Sequence, residues 1–294
     1  MQIPADLAHT LATAVAEGSL EAAARALHLT QPAVSQRLRT LERLTGQVLL
    51  VRSRPVRATA AGEIVIRYAK QVARLDADAS DLLGLTGAGA PSLSIGVNSD
   101  SLATWFLAPL ARLTERLGVV FDLHRDDEGR TADLLANGTV AAAVTTQRDP
   151  VPGCTSTRLG TIAYRAVASE GFARRWFPEG ATREALESAP LVDVDREDRL
   201  QTRYLEAVGA DAALPPRHRI PTTPDFGRAI AMGMAWGLMP QVQREATTGI
   251  VELGGPEITV DLHWQQWRVH STLLDEVAAE VAAEAALHLT AQPG

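Results

Sequence analysis

The side chains best suited to chemistry with a partner lie between residues 30 and 43. In TQPAVSQRLRTLER, Gln31, Ser35, Gln36, Arg39 and Arg43 project to one side of a helix. Val34, Leu38, Leu41 and Thr45 step by i+4, i+3 and i+4 along the other. These polar types suit the edges of base pairs: glutamine bridges adenine, serine serves either base type, and arginine takes guanine or phosphate. Thr30 stands where a helix N-cap is expected, Pro32 falls in the first turn, and Gly46 is a stop signal. A helix that enters the major groove presents its N-terminal residues to the bases, here Thr30, Gln31, Pro32, Ser35, Gln36 and Arg39. Polar residues at i, i+4 and i+8 also occur on ordinary solvated helices, so the surrounding elements must decide.

Two shorter helices precede this one. Leu7, Leu11, Ala14 and Val15 recur at helical spacing up to Glu17-Gly18, and Ser19 caps SLEAAARALHL. After Gly46, VLLVRSRPVRAT holds two β-prone runs around Ser53-Arg54-Pro55, a short hairpin or wing. Its Arg52, Arg54 and Arg57 suit phosphates or the minor groove. Residues 1–75 carry ten basic and five acidic side chains, a balance of +5, whereas the other 219 residues carry 18 and 30, a balance of −12. A basic head on an acidic body fits a polyanion at one end only. Fold and function at this end read as a winged helix-turn-helix (residues 1–59) that binds double-stranded DNA.

Ala61, Val65, Tyr68, Val72, Leu75, Ala79 and Leu82 then step by 4, 3, 4, 3, 4, 3, a heptad seam over three heptads. A second copy of the chain is the expected partner, so residues 60–90 read as a dimerisation helix and hinge. The alternative is packing on the chain's own body. GAGAP, which follows, lacks the spacing and lysine of a phosphate loop.

From residue 91 to 294, strand-like and helix-like runs alternate: SLSIGV, then SLATWFLAPLARLTERL as one helix, VVFDLHR, RTADLLANG, TVAAAVTT, and onward to TVDLHWQQW and a final helix. This predicts an α/β body of parallel sheets covered by helices, with ligands at the carboxyl ends of strands. One cysteine among 294 residues excludes a disulfide framework and a thiolate zinc site. No signal-like N-terminus and no long uncharged apolar run point to a cytoplasmic protein without membrane contact. We find no GxSxG, HExxH, P-loop or dinucleotide fingerprint, and the seven histidines are scattered. No catalytic residue, metal or cofactor is assigned. An enzyme carrying a DNA-binding head and a free solute-binding protein are the competing classes.

The stretch AAARALHLTQPAVSQRLRTLERLTGQVLLVRSRPVRATAAGE resembles the signature of LysR-type transcriptional regulators. The resemblance extends over the whole chain and implies an effector domain like a periplasmic binding protein. Its lobe I would comprise 91–162 and 267–294, and its lobe II 163–266. VLLVRSRPVRATAAG, LSIGVNSDSLATWFL and LHWQQWRVHSTLLDEV are similar to the subgroup that controls export of basic amino acids (LysG/ArgP-like). Gln265 departs from that subgroup, where a histidine follows the tryptophan. The resemblance implies a small-molecule effector between the lobes, L-lysine or L-arginine, a homodimer doubled to a tetramer, and control of an exporter gene. In the turn Asn98-Ser99-Asp100-Ser101, backbone N–H groups and the start of a helix would receive a carboxylate. Asp127, Asp193 and Asp195, with Thr146 and Thr223 at other strand and helix ends, would serve the cation and the remaining polar groups. The alternative effector is an organic or aromatic acid, which would require a basic residue such as Arg125, Arg148 or Arg196 to face the cleft.

Overall fold

The structure, a computed structural model, describes residues 2–51, 53–83, 90–125 and 131–290. Arg52 and Asp127 lie outside the described residues. The head consists of α1 (Ala5–Ala16), α2 (Leu20–Ala26) and α3 (Gln31–Thr45). The Ser19 hydroxyl accepts the Ala22 N–H and Thr30 accepts the Ala33 N–H, while Gly46 ends α3 at φ 65°. Val34, Leu38 and Leu41 are buried with Ala8, Leu11 and Ala23, so α3 is clamped along its apolar stripe. β1 (Leu50–Val51) and β2 (Arg57–Ala58) pair antiparallel as the wing.

α4 (Ala60–Leu82) follows the wing directly, with the Thr59 hydroxyl accepting the Gly62 N–H. Its first turns therefore lie across α1. Val65, Ile66 and Ala69 are buried there, and the Tyr68 hydroxyl donates to the Ile3 carbonyl. This corrects the expectation that the whole seam awaits a second copy: its N-terminal half packs on the chain's own head. Ile64 (60% exposed), Leu75 (42%) and Leu83 (71%) remain outside.

The body continues as β3 (Ser92–Val97), α5 (Ser99–Thr104), α6 (Leu107–Leu117), β4 (Val120–Arg125), α7 (Thr131–Ala136), β5 (Ala142–Thr145), β6 (Cys154–Ser169), α8 (Glu170–Trp176), α9 (Arg183–Ser188), β7 (Leu191–Asp193), α10 (Leu200–Ala207), β8 (Arg217–Arg219), α11 (Thr223–Ala231), β9 (Gly237–Pro240), α12 (Gln241–Ala246), β10 (Ile250–Glu252), β11 (Ile258–Trp267) and α13 (Thr272–His288). Seven strands form one sheet in the order β10-β6-β11-β5-β3-β4, with β9 also on β6. β3 runs parallel to β4 and β5, and β7 parallel to β8. The long strands β6 and β11 are antiparallel. The sheet is therefore mixed rather than parallel throughout, because the chain leaves the first lobe along β6 and returns along β11.

Within β11, His263–Gln266 pair with β5 and so belong to the first lobe's sheet, although the sequence reading assigned them to the second. A strand that crosses both lobes has no loop to mark the crossing. A bulge in the β6–β11 ladder falls between Leu262 and His263, opposite Gly160 and Arg158. Gly160 sits at φ 147°, and a Cβ there would stand 2.7 Å from that of Leu289. The glycine lets the C-terminal segment dock, where Thr161 and Thr290 exchange backbone hydrogen bonds of 3.1 and 3.0 Å. The helix expected over SLATWFLAPLARLTERL is two, α5 and α6, because Trp105 and Phe106 both turn inward at the break, edge to face at 5.6 Å.

The second lobe is pinned through Asp193 at the end of β7. Both its carboxylate oxygens accept from Arg217 Nη1 of β8, at 3.1 and 2.9 Å, and Arg217 Nη2 also donates to the Ala212 carbonyl. Asp193 is 2% exposed. Removing one partner of such a pair strands the other charge in a low dielectric. Asp193→Ala should cost about 3–5 kcal/mol of stability by urea denaturation. Asp193→Leu combined with Arg217→Met should regain most of that loss, since the double change leaves no unpaired charge.

Candidate functional site

Two sites are built by these elements. On α3, Gln31, Pro32, Gln36 and Arg39 are exposed and Ser35 is half-buried, while Thr30 spends its hydroxyl on the cap. The caps fix where the helix starts, and the buried stripe fixes which side faces out. Arg54 is exposed at the wing tip and Arg57 on β2. Arg37 turns back to the head, where its Nη1 donates to Thr10. A rigid helix with an exposed polar N-terminal half, beside a basic hairpin, has the shape and chemistry to enter a major groove and grip the flanking phosphates.

The second site is a narrow cleft of about 70 Å³ between the two lobes. Asn98, Ser99 and Asp100 line it from the start of α5, with Thr146 beyond β5 and Tyr164 from β6. Asp195, Glu197 and Asp198 line it from the loop after β7. Asn98 holds the N-cap position without a side-chain capping bond, and its buried Oδ1 has no partner among the described residues. The start of α5 brings backbone N–H groups and the positive end of a helix dipole to the same wall.

The opposite wall is acidic. Asp195 Oδ1 accepts the N–H groups of Glu197 and Asp198, which folds the loop back on itself. That turn returns Asp198 to the cleft, where its oxygens accept from Val194 N–H and Leu200 N–H, both at 2.9 Å. Burial pushes its carboxyl up to about 6, further raised by the nearby charges of Asp193 and Asp100 and opposed by the two backbone donors. Asp100 ties the lobes together: it accepts from the Tyr164 hydroxyl at 2.6 Å and from the Thr223 hydroxyl of α11 at 3.1 Å.

Several expected residues lie elsewhere. Asp193 is committed to Arg217 and does not line the cleft, because strand alternation turns it into the lobe. Ser101, the third residue of α5, is fully buried and does not line the cleft. Thr223 acts through Asp100 rather than on the cleft's main wall. The sequence reading missed Tyr164, Glu197 and Asp198. The acidic run DVDREDR was the available signal, but only the turn built on Asp195 selects Asp198 from it. Among the described residues, no group of three or more His, Cys, Asp or Glu converges as metal ligands. Among the same residues, no helix is long and apolar enough to cross a membrane.

Comparison with known proteins agrees with this architecture. Residues 6–63 match the model of the bacterial regulatory helix-turn-helix protein, lysR family, and residues 86–286 match the LysR substrate binding domain. The chain is 36% identical over 285 residues to the lysine export transcriptional regulatory protein LysG of Corynebacterium efficiens, covering 95% of this chain and 97% of that protein. Its fold is similar to the crystal structure of ArgP from Mycobacterium tuberculosis, with a TM-score of 0.93 and 36% identity over 99% of this chain and 100% of the other. It is also similar to full-length LysG from Corynebacterium glutamicum with bound effector Arg, with a TM-score of 0.84 and 30% identity over 97% of this chain and 99% of the other. Capped reading helix, wing, long helix and two-lobed body thus match together over nearly the whole length, and the chain belongs to the LysR family of bacterial helix-turn-helix regulators.

Proposed function

We propose that this regulator answers to L-arginine or L-lysine and controls a gene for export of that amino acid. The observation that carries the reading is the charge of the cleft. Its described lining holds Asp100, Asp195, Glu197 and Asp198 and no lysine or arginine. An organic or aromatic acid would meet four carboxylates of like charge among the described lining, whereas a basic amino acid supplies cations for them. The backbone N–H groups at the start of α5 suit the α-carboxylate, and the Asn98 Oδ1 and the Asp198 side suit the ammonium or guanidinium, through charge-assisted hydrogen bonds. The bound arginine named for the Corynebacterium glutamicum relative, and the lysine export named for that of Corynebacterium efficiens, support the same choice.

The reading has three further parts. The target is double-stranded DNA, which implies work in the cytoplasm. No catalytic step is assigned, and arginine incubated with the protein should be recovered unchanged. The outward part of the α4 seam serves a homodimer, which the effector domains double to a tetramer. Leu75→Asp should break the α4 pairing by placing a charge in it, read as a lower mass by light scattering.

For DNA, Gln31→Ala, Ser35→Ala and Arg39→Ala should each cost about 1–3 kcal/mol on the cognate site with little effect on unrelated duplexes. Arg54→Ala should weaken all sequences alike and flatten the salt dependence. Footprints unchanged in the three helix variants would remove α3 as the reader.

For the effector, calorimetry should detect arginine or lysine at neutral pH. A cation prefers ionised Asp198, so binding should release a proton near pH 6 and weaken as pH falls, by at most about tenfold per unit for one linked group. Asp198→Asn should weaken neutral-pH binding and remove that dependence. Ser99→Leu should alter the effector response while DNA binding persists. Clear binding of an organic acid with none of either basic amino acid would favour the alternative effector class.

A further inference from the structure

The chain contains a single lysine, Lys70, against 27 arginines. It lies on α4, half-buried, where the helix leaves the head and meets the first lobe. The contact there is close. Arg67 Nη1 donates to the Ala136 carbonyl at the end of α7, at 3.2 Å. Gly138, at φ 72°, lets the backbones approach: a Cβ on it would stand 3.0 Å from the Arg67 Cα. Beside this contact a cavity of about 460 Å³ opens between α4 and the first lobe, far roomier than the effector cleft. Lys70 and Arg74 line one wall, and Ser92, Ser94, Thr139 and Trp267 line the other.

The hydrogen-bonding inventory of this cavity is lopsided. Lys70 forms no ion pair among the described residues, and burial holds its ammonium below the ordinary lysine pKa. Arg74 pairs with Asp78 through Nη2, which leaves its buried Nε without an acceptor. The Trp267 indole N–H is also buried and without an acceptor, on a side chain that is 4% exposed. Asp78 has an unpartnered oxygen of its own but does not line the cavity. The lining thus carries two cations and the hydroxyls of Ser92 and Thr139, while the Ser94 hydroxyl donates to Asp122 at 3.4 Å. Only a species rich in acceptors completes such a set.

At 100° per residue, Arg67, Lys70, Arg74 and Ala77 fall within about 80° of the helix circumference, away from Ile64, Leu75 and Ala79. Pairing of two α4 helices through the apolar side therefore leaves the basic side facing its own lobe.

We propose that this cavity binds a small oxyanion, a carboxylate or phosphate, which bridges α4 to the first lobe as a second ligand site separate from the effector cleft. Lys70, which has no ion pair among the described residues, neutralises the anion with support from Arg74, and the Ser92 and Thr139 hydroxyls orient it. Because its walls belong to the long helix and to the effector domain, an occupied site favours the docked arrangement of the two.

The single lysine gives a direct readout. Reductive methylation with isotope-labelled formaldehyde keeps the charge and marks only Lys70 and the terminal amine. On the full-length protein at fixed ionic strength, millimolar inorganic phosphate and, separately, citrate should be titrated. The expected result is a saturable shift of the Lys70 methyl signal with one or both anions, while the terminal amine follows bulk salt only. Ala73→Glu places a carboxylate on the cavity wall and should weaken that response about tenfold or more. In thermal unfolding, the same anions should raise Tm of the parent by about 2–4 °C, and Lys70→Gln, folded in their absence, should lose the rise. Asp198→Asn should keep it, which separates this site from the effector reading. A Lys70 signal that moves only as the terminal amine does, or a Tm rise that survives in Lys70→Gln, would overturn the proposal.

Discussion

The antiparallel pairing of β6 with β11 is the constraint on which the body depends. These two strands are continuous through both lobes, from Cys154 to Ser169 and from Ile258 to Trp267. Every other strand of the large sheet joins their edges, with β5, β3 and β4 on one side and β9 and β10 on the other. Two lobes joined by paired strands bend together instead of swinging as independent domains. The irregularity at Gly160 lies in this shared ribbon, where the C-terminal segment also ties in through Thr290. The cleft is the gap that the ribbon leaves between the lobes, and its geometry is set by how far the ribbon curls.

The electrostatics of the cleft follow from that closeness. Asp100 of one lobe and Asp198 of the other would repel as ions, yet the fold holds them near by giving each its own donors. Tyr164 and Thr223 serve Asp100, and the backbone at Val194 and Leu200 serves Asp198. Burial raises the Asp198 carboxyl, the charges of Asp193 and Asp100 add to the rise, and a cation beside it would favour the ionised form. A site assembled this way selects by charge before it selects by shape.

Local signals in the sequence carried much of this structure. Ser19, Thr30 and Gly46 mark helix ends by chemistry that depends on a few neighbours, so the start of α2 and both ends of α3 were readable to the residue, whereas α2 ends at Ala26, short of the run SLEAAARALHL. The exposed polar side of α3 follows from the same periodicity. Non-local facts were not readable. CTSTRLG is polar and interrupted by glycine, so only the apolar second half of β6 reads as a strand, and the pairing with β11 supplies the rest. Asp193 looks like any strand-end carboxylate until Arg217, 24 residues on, is brought to it. Asp198 enters the cleft because Asp195 spends its side chain on a turn, a local device whose direction only the folded loop reveals. Arg52 and Asp127 stay as sequence expectations.

The docking of α4 on its own head has a mechanical consequence. Val65, Ile66 and Ala69 weld the near end of a 23-residue helix to the core that holds α3, so helix and head turn as one piece. Such a helix is about 35 Å long at 1.5 Å per residue. Levered about its far end, a tilt of about 10° sweeps the head through about 6 Å, close to the rise of two base pairs. Gly138 meets the same rod at Arg67, next to this weld, so a rearrangement there is passed directly to the head. A dimer of such rods registers small strains in its body as altered spacing between two grooves of the same duplex.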